Sequence, residues 1–302
     1  MRYALVFPGQ GTQHPEMLPW LSDGAIVRAS CDRLGVSDWR AAVADPAWAE
    51  RNLHAQVLLT GLALAAWREV SAGLPPPAAI AGYSVGELAA FSAAGSYDAE
   101  QAIDVAQRRA VAMDSCAAEP GGLLAVSDTS DDAIQRACVL TGLAVAIRNG
   151  VGKVVLGGPH AALDRAGSML AALGARCTRL RVGVASHTPS MRPAAAEFLD
   201  QLSAFEFRPA DPPPFCNATA ERVADPEIVK ARLAAQLCTT VRWDECMDGI
   251  RSRDIRCVIE VGAGRSLARL WNERYPEVQA RSCDDFRSAK AVTRWIERTS
   301  ES

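Results

Sequence analysis

Gly82-Tyr83-Ser84-Val85-Gly86 stands between Ala78-Ala79-Ile80-Ala81, an apolar run of strand length, and the Ala-rich stretch 87–94 (ELAAFSAA), which reads as a helix. Strand, Gly-x-Ser-x-Gly and helix in that order form the pattern of a nucleophile elbow. The two glycines allow a tight turn with the hydroxyl at its tip, and Val85 N–H then falls at a helix start, facing any oxyanion formed on Ser84. The plainer alternative is a Gly/Ser turn that merely joins a strand to a helix.

Upstream, Tyr3-Ala4-Leu5-Val6-Phe7 is a compact apolar strand ended by Pro8-Gly9-Gln10-Gly11, a turn that offers backbone N–H groups at a sheet edge. Residues 56–70 read as a buried helix, stopped by Gly73 and the prolines at 75, 76 and 77. Strand, helix, strand, elbow and helix outline an α/β core. With 302 residues and 49% hydrophobic content the chain can bury one large or two modest cores. The apolar stretch 57–67 is too short to span a bilayer, and residues 3–7 lack the length and cleavage site of a signal peptide, so neither a membrane nor an export route is expected and the cytoplasm is. A net charge of -3 gives no basic footprint for nucleic acid. Nine cysteines without CxxC spacing argue for reduced thiols and against a metal site. An imidazole base must be His14, His54, His160 or His187.

From Asp98 a helix is expected to about Cys116, with Ala102, Ala106, Arg109 and Met113 on one face. Arg108 follows Asp104 by four residues and suits a solvated ion pair. Arg109 lies on the apolar stripe and must find an acceptor there, either a core carboxylate or an anionic substrate. Between Gly121 and His187 the pattern reads strand, helix, strand, strand, helix, strand, a ferredoxin-like βαββαβ subdomain, with a hairpin turn at Asn149-Gly150-Val151-Gly152 and the last strand spanning 177–184. His187 is expected at the end of that last strand, as a structural residue or as a base. The expected organisation is a large α/β subdomain over 1–118 and 188–302 with the small one inserted at 119–187. Within its second segment a strand is expected at 215–219 (FCNAT), a helix through Gln236, a last core strand at 257–261, and a polar tail at 298–302.

Four segments in this order, Pro8-Gly9-Gln10-Gly11, the elbow, Gln107-Arg108-Arg109-x-x-x-Met113 and Ser186-His187, resemble the malonyl-CoA:acyl carrier protein transacylases over nearly the whole chain. The resemblance implies a hydrolase-like parallel-sheet core with the ferredoxin-like insert. It also implies that Ser84 is the acyl-accepting nucleophile, that His187 is its base, oriented by a backbone carbonyl, and that Gln10 and Val85 are the oxyanion-hole donors. Arg109 matches the arginine that holds the malonyl carboxylate. Tyr83, Gln56, Asn149 and the Val241-Arg242-Trp243 segment match positions near the pocket. Tyr83 departs from the histidine found in many members, as do Ala185 and Ala263 from prolines.

By the same resemblance the activity is [acyl-carrier-protein] S-malonyltransferase, with malonyl-CoA as substrate, an acyl carrier protein as acceptor and no resident cofactor or metal. Within the family the run 281–295, taken to follow the last core strand, the Asn217 segment and the brief amino end look most like the malonate decarboxylase epsilon subunit, which implies that decarboxylase's carrier and its other subunits as partners. Carriers of fatty acid or polyketide synthesis are the alternative acceptors. A thioester hydrolase using the same serine and histidine, and a non-catalytic carrier-binding subunit, are the alternatives from other classes.

Overall fold

Strand β1 (Tyr3–Phe7) is buried along its whole length because it runs through the middle of a parallel sheet covered by helices on both faces. The computed structural model describes residues 1–116 and 119–301; Ala118, at the expected subdomain boundary, and Ser302, of the expected tail, lie outside them. After β1 come α1 (Ala25–Leu34), α2 (Trp39–Val43), α3 (Pro46–Ala49), α4 (Asn52–Val70), β2 (Ala79–Gly82), α5 (Gly86–Ala93) and α6 (Ala99–Ser115). A second group follows: β3 (Gly121–Ser127), α7 (Asp131–Thr141), β4 (Ala144–Gly150), β5 (Lys153–Pro159), α8 (His160–Ala171) and β6 (Arg176–Arg179). The chain ends with α9 (Arg192–Leu202), α10 (Pro226–Gln236), β7 (Val241–Arg242), α11 (Trp243–Arg251), β8 (Cys257–Glu260), α12 (Ser266–Arg274), β9 (Gln279–Ser282) and α13 (Ala289–Glu301).

The first sheet has the order β2-β1-β8-β9, all parallel, with Phe7 opposite Gly82 and Val6 opposite Glu260. The loops after β1, β2 and β8 therefore leave from the same edge, where open parallel sheets carry their ligands. In the second sheet the strands β6-β3-β5-β4 lie in that order and run antiparallel to one another, which is the ferredoxin-like arrangement. Leu124, Val126 and Leu156 on one face pack with Ile134 of α7 and Leu163 of α8. Leu123, Ile147 and Val155 join the main core.

The structure corrects several local expectations. The last small-sheet strand stops at Arg179, so His187 is not at a strand end; beyond Leu180 the chain leaves β3 and crosses toward α10. Residues 215–219 form no strand: Phe215 makes isolated bridges to Ala81 and Arg222, and Asn217 N–H turns to the Glu87 carboxyl instead of a strand partner. The last core strand is β9, so the run 281–295 begins inside it; QARS escaped notice because an edge strand alternates exposed and buried residues. The expected tail is helical through Glu301. Finally β7, from the segment assigned to the large subdomain, pairs with β4 and lengthens the second sheet. All nine cysteines are unpaired.

Candidate active site

The elbow is tight enough to exclude side chains at both glycines. A Cβ at Gly82 would lie 2.1 Å from the Gly86 carbonyl, and one at Gly86 would lie 2.3 Å from Phe7 O. Ser84, between them, takes φ 56°, a left-handed conformation that a serine holds only under constraint. The constraint is visible on both sides: Ser84 N–H donates to Asn217 Oδ1 at 2.8 Å, and Ser84 O accepts from Gln236 Nε2 at 2.9 Å.

Ser84 Oγ lies 2.7 Å from His187 Nε2. His187 Nδ1 lies 2.7 Å from the Gln236 carbonyl oxygen, which can only accept, so Nδ1 carries the proton and Nε2 presents its lone pair to the serine hydroxyl. His187 N–H also donates to Leu237 O at 2.8 Å. Both acceptors sit at the C-terminal end of α10, where helix carbonyls lack intrahelical partners and carry partial negative charge. That end orients the ring and favours an imidazolium formed during reaction. The ring is 1% exposed, and burial, helped by the Arg109 charge, pushes its pKa down to about 3, against the pull of the Gln236 carbonyl. At neutral pH His187 is a neutral ring whose Nε2 is free to accept a proton, as a base must be.

Arg109 is 2% exposed on α6. Its Nη1 donates to Gln56 Oε1 at 2.6 Å and its Nη2 to Gln236 Oε1 at 2.8 Å. Burial lowers its pKa to about 10, opposed by the charge of Glu87, so it remains a cation at neutral pH. Arg108, one residue away, reaches Asp104 at 3.4 Å at the surface, as its spacing predicts. Gln236 thus joins both halves of the site, its backbone oxygen on His187 and its side chain on Arg109.

Residues 4–301 match the acyl transferase domain. The chain belongs to that acyl transferase family. A similar protein is the malonyl CoA-acyl carrier protein transacylase of Mycobacterium bovis, 32% identical over 92% of this chain and 95% of the relative. Among solved structures, an acyl carrier protein S-malonyltransferase from Vibrio cholerae superposes with a TM-score of 0.86 at 32% identity, covering 97% of this chain and 100% of that one. A malonyl-transacylase in complex with its type II PKS acyl-carrier protein gives 0.90 at 28% identity, covering 99% and 100%.

The remaining predicted positions of this acyl transferase fall around the same edge. A Cβ on Gly9 would meet Tyr83 O at 3.0 Å and Ser84 Cβ at 3.5 Å, which sets the loop bearing Gln10 directly against the elbow. Val85 caps α5, and among the described residues neither its N–H nor that of Gln10 has a protein acceptor. Gln10, Tyr83, Asn149, Arg181 and Arg269 line one cavity of about 290 Å³. Tyr83 packs edge-on against Trp243 with ring centroids 5.3 Å apart, and Asn149 Oδ1 is buried with no hydrogen-bond partner among the described residues. Gln56 is fully buried and supports Arg109. A larger cavity, about 600 Å³, lies beside α7, β4 and β7. The other histidines are occupied elsewhere: His14 with Asp284, His54 with Trp48 O, His160 with Arg179.

Three residues of the site escaped the sequence reading. Asn217 holds the elbow, donating from Nδ2 to Gly82 O at 2.6 Å while its Oδ1 accepts from Ser84 N–H. Glu87 accepts from Asn217 N–H at 2.6 Å and from Gln236 Nε2. Burial raises its carboxyl well above the usual carboxylate range, opposed by those donors and by Arg109. No motif announces Gln236; the one usable signal is its place at the end of a helix, where a carbonyl is free to accept.

Proposed function

We propose that the chain transfers a malonyl group from malonyl-CoA, through an ester on Ser84, to the thiol of an acyl carrier protein. The observation that carries this reading is Arg109: a buried cation beside the Ser84–His187 pair, held by two amide oxygens, with no carboxylate among the described residues bonded to its guanidinium. A planar guanidinium so placed suits the free carboxylate of a malonyl group.

In the first half-reaction Ser84 Oγ attacks the thioester carbonyl while its proton passes to His187 Nε2. The oxyanion forms opposite the N–H groups of Gln10 and Val85. Its collapse breaks the C–S bond, and the imidazolium returns the proton to the CoA sulfur. In the second half-reaction the carrier thiol gives its proton to His187 Nε2, the thiolate attacks the serine ester, and Ser84 Oγ leaves with the proton restored.

The related transacylase solved with its type II PKS carrier supports an acyl carrier protein of the biosynthetic kind as acceptor. The malonate decarboxylase carrier, suggested by the resemblance of 281–295, is the second candidate. We read the chain as a cytoplasmic enzyme, since its substrates are a CoA thioester and a carrier thiol, and as two subdomains, 1–118 with 188–302 and 119–187. Arg109→Ala tests the acyl specificity: kcat/KM for malonyl-CoA should fall by about two orders of magnitude and that for acetyl-CoA should hold or rise. Equal losses on both substrates would show that Arg109 is structural. Mass spectrometry of both carrier types, incubated with the enzyme and malonyl-CoA, identifies the acceptor.

A further inference from the structure

Arg109 is held at both ends of its guanidinium by glutamine carbonyl oxygens, and a glutamine amide is nearly symmetric in shape. Turned by half a revolution, either amide would aim an NH₂ at the guanidinium, donor against donor. Something must fix each amide with its oxygen inward, and the structure shows a different device on each side.

On one side, Gln236 Nε2 faces Ser84 O at 2.9 Å, Asn217 Oδ1 at 3.3 Å and Glu87 Oε2, three acceptors and no donor. Glu87 meets two donors, Asn217 N–H on Oε1 and Gln236 on Oε2, so both of its oxygens are used as acceptors. On the other side, Gln56 Nε2 donates to Asn52 Oδ1 at 2.7 Å and approaches Met113 Sδ at 3.5 Å. Asn52 is oriented in turn, its Nδ2 donating to Asp114 Oδ1 at 2.9 Å and to Ala110 O at 3.4 Å. Asn52, Gln56, Glu87 and Gln236 are all buried. Each chain of bonds starts at Arg109 and ends on a carboxyl group, Glu87 or Asp114, for which no bond to the guanidinium is found among the described residues.

We propose that Glu87 and Asn52 are positioning residues for acyl selectivity: through Gln236 and Gln56 they hold two amide oxygens toward Arg109 and keep every protein carboxylate off it. A carboxylate bonded directly to Arg109 would fill the place of the substrate's own. Amide oxygens steady the guanidinium while leaving its charge to be met by the malonyl group. The inference rests on the malonyl reading of Arg109 given above.

Two near-isosteric variants, one per arm, test it. Glu87→Gln replaces one acceptor oxygen with an NH₂ group beside Gln236 Nε2; Asn52→Leu removes the acceptor that fixes Gln56. Steady-state kinetics on malonyl-CoA and acetyl-CoA, with Arg109→Ala in parallel, give the readout, and labelling of Ser84 by a fluorophosphonate reports whether the elbow is intact. Each relay variant is expected to raise KM for malonyl-CoA about tenfold or more; Asn52→Leu, which does not bond the elbow, should keep kcat/KM for acetyl-CoA within about threefold of the parent and the labelling rate unchanged, whereas Glu87→Gln, whose carboxyl also accepts from Asn217 N–H, should lose more on malonyl-CoA than on acetyl-CoA. Because the two arms lie on different elements, misfolding of one variant leaves the other as the test. Equal losses on both substrates, or unchanged malonyl kinetics, overturn the relay while Arg109→Ala still discriminates. If Arg109→Ala fails to discriminate, the malonyl reading falls and the relay with it.

Discussion

Ser84 and His187 both sit at positive φ, 56° and 63°, and the two turns reach that strained backbone by different routes. The serine turn has its room made locally: Gly82 and Gly86 let β2, α5 and the backbone of β1 close to within atomic contact, and Asn217 and Gln236 then hold the Ser84 backbone in place. The histidine turn has no glycine beside it. It is held from a distance, by Leu237 O on its backbone N–H and Gln236 O on its ring, about fifty residues further along the chain. Close approach made possible by neighbouring glycines leaves a motif; a hold imposed by tertiary contacts alone leaves none.

The sharpest break of this contrast is Gly86→Ala. The added carbon meets backbone atoms of Phe7 and Pro8, which cannot swing aside, so the elbow must open. The expected outcome is loss of transfer together with about 3 kcal/mol or more of stability, read by urea denaturation. Retained activity at parental stability would show that the turn is not sterically closed.

The histidine turn should fail in a different manner. His187→Asn keeps a residue type that accepts positive φ while removing the base, so the fold should survive as Ser84 acylation falls by about 10² to 10⁴. A variant that acylates at the parental rate would remove His187 from the chemistry. The smallest effect concerns pH in the parent enzyme. A base with an ordinary histidine pKa near 6.5 would lose its lone pair, and the enzyme its rate, as pH falls through that value. Burial has moved His187 to about 3, so its protonation should leave no step in the acylation rate between pH 8 and 5. A single-proton loss of rate centred near 6.5 would show that the imidazole is more solvated than the structure has it.

The same contrast governs what could be read in advance. Residues 3–7, the elbow, the Asp98 helix and the alternation over 121–180 each carry their pattern within one segment, and their elements are found where the pattern places them, apart from the early end of the last small-sheet strand at Arg179. Arg109 was legible as a cation on an apolar stripe, because burying a charge is costly enough to mark the position. The failures fall where a long-range partner overrides local preference. Asn217 gives its N–H to Glu87 and its side chain to the elbow, so the apolar run around it never becomes a strand. Residues 181–187 look like a continuing strand until the carbonyls at the end of α10 capture His187. Gln236, which touches Ser84, Glu87 and Arg109, lies 152 residues from the serine, and a buried glutamine has no local signature.

The central claim is that Ser84, activated by His187 and faced by Arg109, accepts a malonyl group as an ester. Intact-protein and peptide mass spectrometry after incubation with malonyl-CoA alone, with no carrier present, tests it most directly, because a double-displacement transferase must accumulate its acyl-enzyme when the acceptor is withheld. The expected result is one malonyl group per chain, mapped to the peptide containing Ser84 and absent from Ser84→Ala. A label that persists in Ser84→Ala, or that maps to one of the nine cysteines, would contradict the account.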